Sequence, residues 1–174
     1  MTEITKCLNE WNAIIEALGQ GKQSILIRKY STTLNQFLLY PTKTYSTKEN
    51  YLDFFKKEYR TFVKENLLPN SDKNKKYEVK YLAKVVSVKT VTNRFGRFDN
   101  YHIWNKKHIS SYFKNKKANL WLLRIYKLDE PQYLSRSHGI TYANVNKEIN
   151  IDNISPVVSD DDFEDLKKDI LNKF

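Results

Sequence analysis

The chain is poor in the residues that build covalent or metal-held scaffolds: its 174 residues include one cysteine, Cys7, three histidines, four glycines and four prolines. A lone thiol excludes an internal disulfide and a cysteine-based zinc site, and the scattered histidines lie at no familiar ligand spacing. Neither a metal site nor a cofactor is expected. No Walker-type phosphate loop occurs, no serine sits in a glycine-flanked elbow, and no histidine lies near Cys7 in sequence, so a nucleophile triad has no support and no catalytic residue is assigned. No apolar run approaches the ~20 residues that span a bilayer. Glu3 and Asn9 interrupt what would be a signal-peptide core, so the expectation is a cytoplasmic protein with no membrane partner.

What the chain does have is aromatic and basic. Forty percent hydrophobic residues with 12 Tyr, 9 Phe and 3 Trp make a folded domain rather than a disordered chain. Thirty Lys plus Arg against 20 Asp plus Glu give a net charge of +10. The excess is uneven. From Pro156 onward six acids and three lysines leave −3, so the preceding 155 residues carry +13. Such a field concentrates polyanions at the surface and weakens with salt, which makes DNA or RNA the leading partner.

Length and charge predict one domain over 1–174, a basic core over 1–158 and an acidic C-terminal helix over 159–174. A first helix is expected from Thr5 to Leu18 and stopped by Gly19. Strands are expected at Ser24–Tyr30, Gln36–Thr42, Tyr77–Val91 and Leu120–Leu128, the last ended by Asp129-Glu130-Pro131. The capping-box string Ser46-Thr47-Lys48-Glu49 predicts a second helix to Leu68, stopping before Pro69. Asn105 should cap a short helix with Ile109, Tyr112 and Phe113, and Ser159 a final one. Short strands are expected near Ile140–Val145 and Ile149–Ile154. In Tyr77–Val91 the residues Tyr77, Val79, Tyr81, Ala83 and Val85 share one face opposite a wet one, favouring antiparallel pairing. The fold class is α+β, a small curled mixed sheet or β-barrel flanked by helices.

Two groups of residues carry candidate chemistry. Lys22, Gln23, Ser24 and Arg28 bring an ammonium, an amide, a hydroxyl and a guanidinium to one strand start, suited to phosphate oxygens and base edges. Trp104, with His102 beside it, offers a stacking surface worth ~1–3 kcal/mol per base in single-strand binders. Trp11 and Trp121 lie on apolar stripes and are assigned to the core. From Lys73 to Lys117, basic residues interleave with aromatic ones in a pattern suited to following a phosphate backbone. A rival reading takes Glu78 and Lys80, on one strand face, as a metal-dependent nuclease pair completed by Asp53, Glu65 or Asp72. A third is a protein-interaction module, or a homo-oligomer, without catalysis.

Four strings, ALGQGKQSILIRK (Ala17–Lys29), FLLYPT (Phe37–Thr42), HIW (His102–Trp104) and LLRIYKLDEP (Leu122–Pro131), resemble in this order the uncharacterised prokaryotic family called domain of unknown function 1802, over about Leu8–Pro131. That family has glycines after the Arg-Lys pair and an aromatic and a His after the Pro-Thr pair, where this chain has Tyr30-Ser31-Thr32 and Lys43-Thr44-Tyr45. More loosely, Gly21, Lys22, Ser24 and Arg28 resemble the opening of PUA-like barrels, including the ASCH and EVE groups, which typically bind RNA or modified bases. The resemblance implies a PUA-like barrel with a ligand cleft lined by Tyr40 and Thr42. Gln23 and Leu26 stand nearest the positions of the lysine and threonine that some ASCH-type hydrolases use, so it implies binding without that hydrolase chemistry.

Overall fold

A computed structural model describes residues 1–43, 49–68, 71–72, 74–114 and 116–174. The capping-box residues 46–48, Pro69 and Lys73 lie outside the described residues. Seven strands, β1 (Glu3–Trp11), β2 (Ile25–Arg28), β3 (Gln36–Thr42), β4 (Tyr77–Val91), β5 (Ala118–Leu134), β6 (Tyr142–Asn150) and β7 (Ser155–Pro156), form one mixed sheet. The order is β2-β5-β4-β3-β1-β6, with β7 on β5. β1 runs parallel to β3 and every other pairing is antiparallel. The helices are α1 (Asn12–Gly19), α2 (Arg60–Glu65), α3 (Lys106–Phe113) and α4 (Asp160–Leu171). Of the two expected forms, the curled mixed sheet is the one found, and its strands do not close into a barrel. The curl brings Arg136, just beyond β5, into a single antiparallel bridge with Val145 of β6. No helix among the described residues is long and apolar enough to cross a membrane.

Alternating side chains supply two apolar cores, because successive residues of a strand face opposite ways. Phe37 and Leu39 join the larger core beneath the helices, while Leu38 and Tyr40 join a smaller one with Cys7, Leu82, Leu128 and Ile149. The expected single face of β4 does not hold. A bulge between Val79 and Tyr81 inverts the alternation, leaving Val79 in the smaller core and Tyr81 and Ala83 in the larger. The same irregularity lets β5 run past its expected end. Pro131 lies between the paired Lys127 and Gln132, where no ladder N–H is required of it.

The N-terminal helix is shorter than its apolar stripe suggests. Residues 3–11 form β1, clamped between β3 and β6, and α1 begins at Asn12 after Trp11, which makes no side-chain capping bond. Gly21, with φ +75°, takes the left-handed turn expected of Gly19. Gly19 is instead required by contact, since a Cβ there would stand 2.2 Å from the Tyr81 ring. The single helix expected up to Leu68 is broken into 3₁₀ turns at Tyr51–Phe54 and Lys57–Tyr59 followed by α2. The expected caps of α3 and α4 are present: Asn105 accepts from the Lys107 amide at 2.8 Å and Ser159 from the Asp162 amide at 3.2 Å.

Candidate functional site

A cavity of about 520 Å³ opens where the ends of β1, β2 and β3 meet α3, the 3₁₀ turn at Tyr51–Phe54 and the loop after β5. That volume lies within the roughly 300–1,000 Å³ usual for small-ligand sites. Its rings come from Trp11, Phe54, Trp104, His108, Tyr112 and Phe113, and its charges from Glu10, Arg28, Lys43 and Arg136. Backbone bonds fix the aromatic wall: the Asn105 amide donates to the Phe54 carbonyl at 2.7 Å, the Lys56 amide donates to the Ile103 carbonyl at 3.0 Å, and Phe55 bridges Trp104. Phe54 consequently lies 4.5 Å from His108, centroid to centroid, and Tyr112 continues that face one helical turn later. Tyr112 is half exposed, and the Lys29 ammonium sits 4.2 Å from its ring centre.

The opposite wall is a buried ion pair. Arg28, at the end of β2, pairs through Nη2 with Oε2 of Glu10 on β1; the Arg28 side chain is 22% exposed and that of Glu10 4%. The Trp11 amide donates to Glu10 Oε1 at 2.8 Å and the Thr42 hydroxyl donates to the Glu10 carbonyl at 3.1 Å. The parallel register of β1 and β3, with Glu10 opposite Pro41 and Trp11 opposite Thr42, brings these groups together. Asn9 anchors the rim by donating to the carbonyls of Gly139 and Ile140 at 3.0 and 3.1 Å. Among the described lining residues Glu10 is the one acid, set against the three cations Arg28, Lys43 and Arg136.

Of the residues singled out from sequence, Arg28, Thr42 and Trp104 line this cavity, and Tyr40 lines a second one beside it. Trp104 is 5% exposed and forms the back wall, leaving Tyr112 and Phe54 nearer the opening. His102 is buried. Its Nδ1 accepts from the Trp104 amide at 3.2 Å, and burial together with the Lys56 ammonium lowers its pKa to about 3. A neutral imidazole is held there as a hydrogen-bond acceptor. Gln23 is equally buried, donating to the Ile25 carbonyl and accepting from the Ile103 amide, which ties β2 to the residues before α3. Ser24 makes the same tie through its backbone, its amide donating to the Tyr101 carbonyl. Lys22 is exposed and lies over the Phe62 ring of α2, outside the cavity lining.

Glu10, Trp11, Phe54, His108, Lys43 and Arg136 are among the lining residues that sequence reasoning did not single out as a site. Trp11, assigned to the core, packs against it while also facing the cavity. The His108–Tyr112 spacing of four residues was the one legible signal. Glu78 and Lys80 do share a neighbourhood, 3.9 Å apart, but Lys80 reaches Glu16 at 2.7 Å and Glu78 accepts from the Tyr133 hydroxyl at 3.0 Å. Among the described residues no three His, Cys, Asp or Glu stand together as a metal-holding group.

A family profile described as Domain of unknown function (DUF1802) matches residues 7–169. The chain belongs to the DUF1802 family. The DUF1802 match reaches well beyond the Leu8–Pro131 stretch that carried the resemblance, taking in β6 and most of α4. Among curated proteins none matches the chain. Among solved structures, the ASCH protein of Zymomonas mobilis is similar at 12% identity and TM-score 0.44, over 94% of this chain and 93% of that one. Two of its point mutants give 12% identity and TM-scores of 0.44 and 0.43, over 94% of this chain and 94% and 96% of theirs.

Proposed function

We propose that this DUF1802 domain binds nucleic acid and holds a nucleobase in the 520 Å³ cavity. The observation that carries the proposal is the pairing, in one concave site, of stacking surfaces from Trp11, Phe54, His108 and Tyr112 with the cations Lys43 and Arg136. An unstacked base presents a flat π-face and a hydrogen-bonding edge, and its phosphates want positive charge. Arg28 faces the cavity from within its ion pair, so its guanidinium is oriented in advance for a base edge. Trp104 supports the rings from behind. The domain-wide excess of positive charge then follows the strand outside the cavity, which requires no catalysis.

Fluorescence anisotropy with labelled single- and double-stranded DNA and RNA at two salt concentrations tests this. Binding to single strands should weaken with salt, with a logarithmic slope of roughly −4 for about six neutralised phosphates. It should also weaken about tenfold in Tyr112→Ala, the loss of a stacking contact worth ~1–3 kcal/mol. Salt-sensitive binding that ignores Tyr112→Ala and Phe54→Ala would leave only a basic surface. No binding by any nucleic acid would sink the reading and favour a protein partner or self-association.

A further inference from the structure

A second cavity, of about 680 Å³, adjoins the first and shares Thr42, Lys43 and Arg136 with it. Its chemistry differs. Lys43, Lys75, Arg136 and His138 line it, and among the described residues no aspartate or glutamate does. Tyr40 is buried and donates its hydroxyl to the Leu134 carbonyl at 2.8 Å, so it offers the cavity a ring rather than a free acceptor. The Arg136 guanidinium lies 5.4 Å from the centre of that ring.

Lys75 and Arg136 are placed by built turns. The Asp72 carboxylate accepts from the Asn74 and Lys76 amides at 2.8 and 2.9 Å, and Lys75 adopts φ +58° between them. A left-handed lysine is uncommon, and this one is held by a carboxylate already used within the turn. Arg136 is set by its bridge to Val145, flanked by bonds from the Ser137 amide to Asn144 and from the Asn146 amide to Ser135. Lys75 and Arg136, with no carboxylate among the described lining residues, make a site for an anion, and Arg136 and Lys43 line both cavities. A ligand matched to both cavities would carry a flat ring on one side and negative oxygens on the other.

We propose that the second cavity is a phosphate subsite, taking the phosphate ester attached to the nucleoside whose base occupies the first. This rests on the base-binding reading, and fixes the polarity with which a nucleotide enters. The phosphate can belong to a free nucleotide or to a strand.

The test uses Lys75→Gln/His138→Gln, whose two positions line only the second cavity. The probes are a labelled single strand of about twelve nucleotides, in DNA and RNA forms, and adenosine and uridine with their 5′-monophosphates followed by NMR of the labelled protein. The double variant should melt like the parent, bind the strand about fivefold more weakly at low salt, and lose roughly 0.7 from the salt slope for one lost phosphate contact. Tyr112→Ala should weaken binding with its slope unchanged. A monophosphate that binds more tightly than its nucleoside only in the parent protein identifies a free nucleotide as a source; a response confined to the strand identifies a polynucleotide. Unchanged affinity and slope in the double variant, with Tyr112→Ala still weakened, overturns the phosphate subsite alone. Weakening in the double variant but none in Tyr112→Ala overturns the base-binding reading and leaves an anion site. If no probe binds the parent protein, both fail.

Discussion

Arg28→Ala should be among the most destabilising surface-reachable substitutions in this domain, because it strands a carboxylate. Glu10 is 4% exposed and cannot recover its hydration without opening the sheet, whereas the Arg28 side chain is 22% exposed and can. Removing one partner of a buried pair costs about 3–5 kcal/mol, chiefly the penalty on the charge left behind. For a chain of this length each kcal/mol lowers Tm by about 2–4 °C, so the expected fall is roughly 6–20 °C. Glu10→Gln should cost less, since Arg28 keeps its solvent path and the Trp11 amide keeps an acceptor. The double variant Glu10→Gln/Arg28→Ala, which strands no charge, should recover much of the loss. Circular dichroism melts of the four proteins at neutral pH complete the thermodynamic cycle. A melt of Arg28→Ala within about 2 °C of the parent, or a larger loss in Glu10→Gln, would refute the burial argument. Strand binding by these variants must be compared at a temperature where all are folded, or lost stability will be mistaken for a lost contact.

Three further outcomes are expected. His102 binds its proton only near pH 3 when folded but near 6.5 when unfolded, so its contribution is present above 6.5 and fades as pH falls toward 3; unfolding free energies from urea titrations at pH 7.5 and 5 should differ less in His102→Gln than in the parent, by up to about 1.4 kcal/mol per pH unit below 6.5. Gly19→Ala drives a methyl into the Tyr81 ring, whose hydroxyl is bonded to Glu16, and should cost about 1–3 kcal/mol in a denaturant titration. Gln23→Leu orphans the Ile103 amide and should destabilise by about 1–3 kcal/mol while leaving strand affinity at 25 °C unchanged, which separates a structural glutamine from a ligand-reading one.

How much could be read in advance depended on whether the signal was local. β3 and β4 run over the expected residues, and the caps of α3 and α4 act as expected, because short apolar runs, Asn105 and Ser159 carry their instructions within a few residues. The misreadings share a cause. Residues 3–11 have apolar spacing that also suits a helix, and only the partners β3 and β6, distant in sequence, make them a strand. Pro131 reads as a terminator until the bulge that accommodates it is seen. The cavity draws its walls from six separate segments, so Arg28, Thr42 and Trp104 could be proposed from their own neighbourhoods. Nothing near Arg136 announced that the curl of the sheet would bring it to the same place.

The bridge between Arg136 and Val145 gives the curled sheet a seam one residue wide. The β4–β5 ladder holds by many bonds in a row, whereas the seam is a single bridge made by two backbone bonds, Ser137 to Asn144 and Asn146 to Ser135, with side-chain bonds from the Asn144 and Ser135 amides beside it. Such a seam sets the molecule's order of yielding. Its flanking amides, Ser137 and Asn146, should trade their hydrogens for deuterium far sooner than those of β4, and each opening would carry the Arg136 guanidinium with it. Because Arg136 lines both cavities, a ligand spanning them would act as a stitch across the seam.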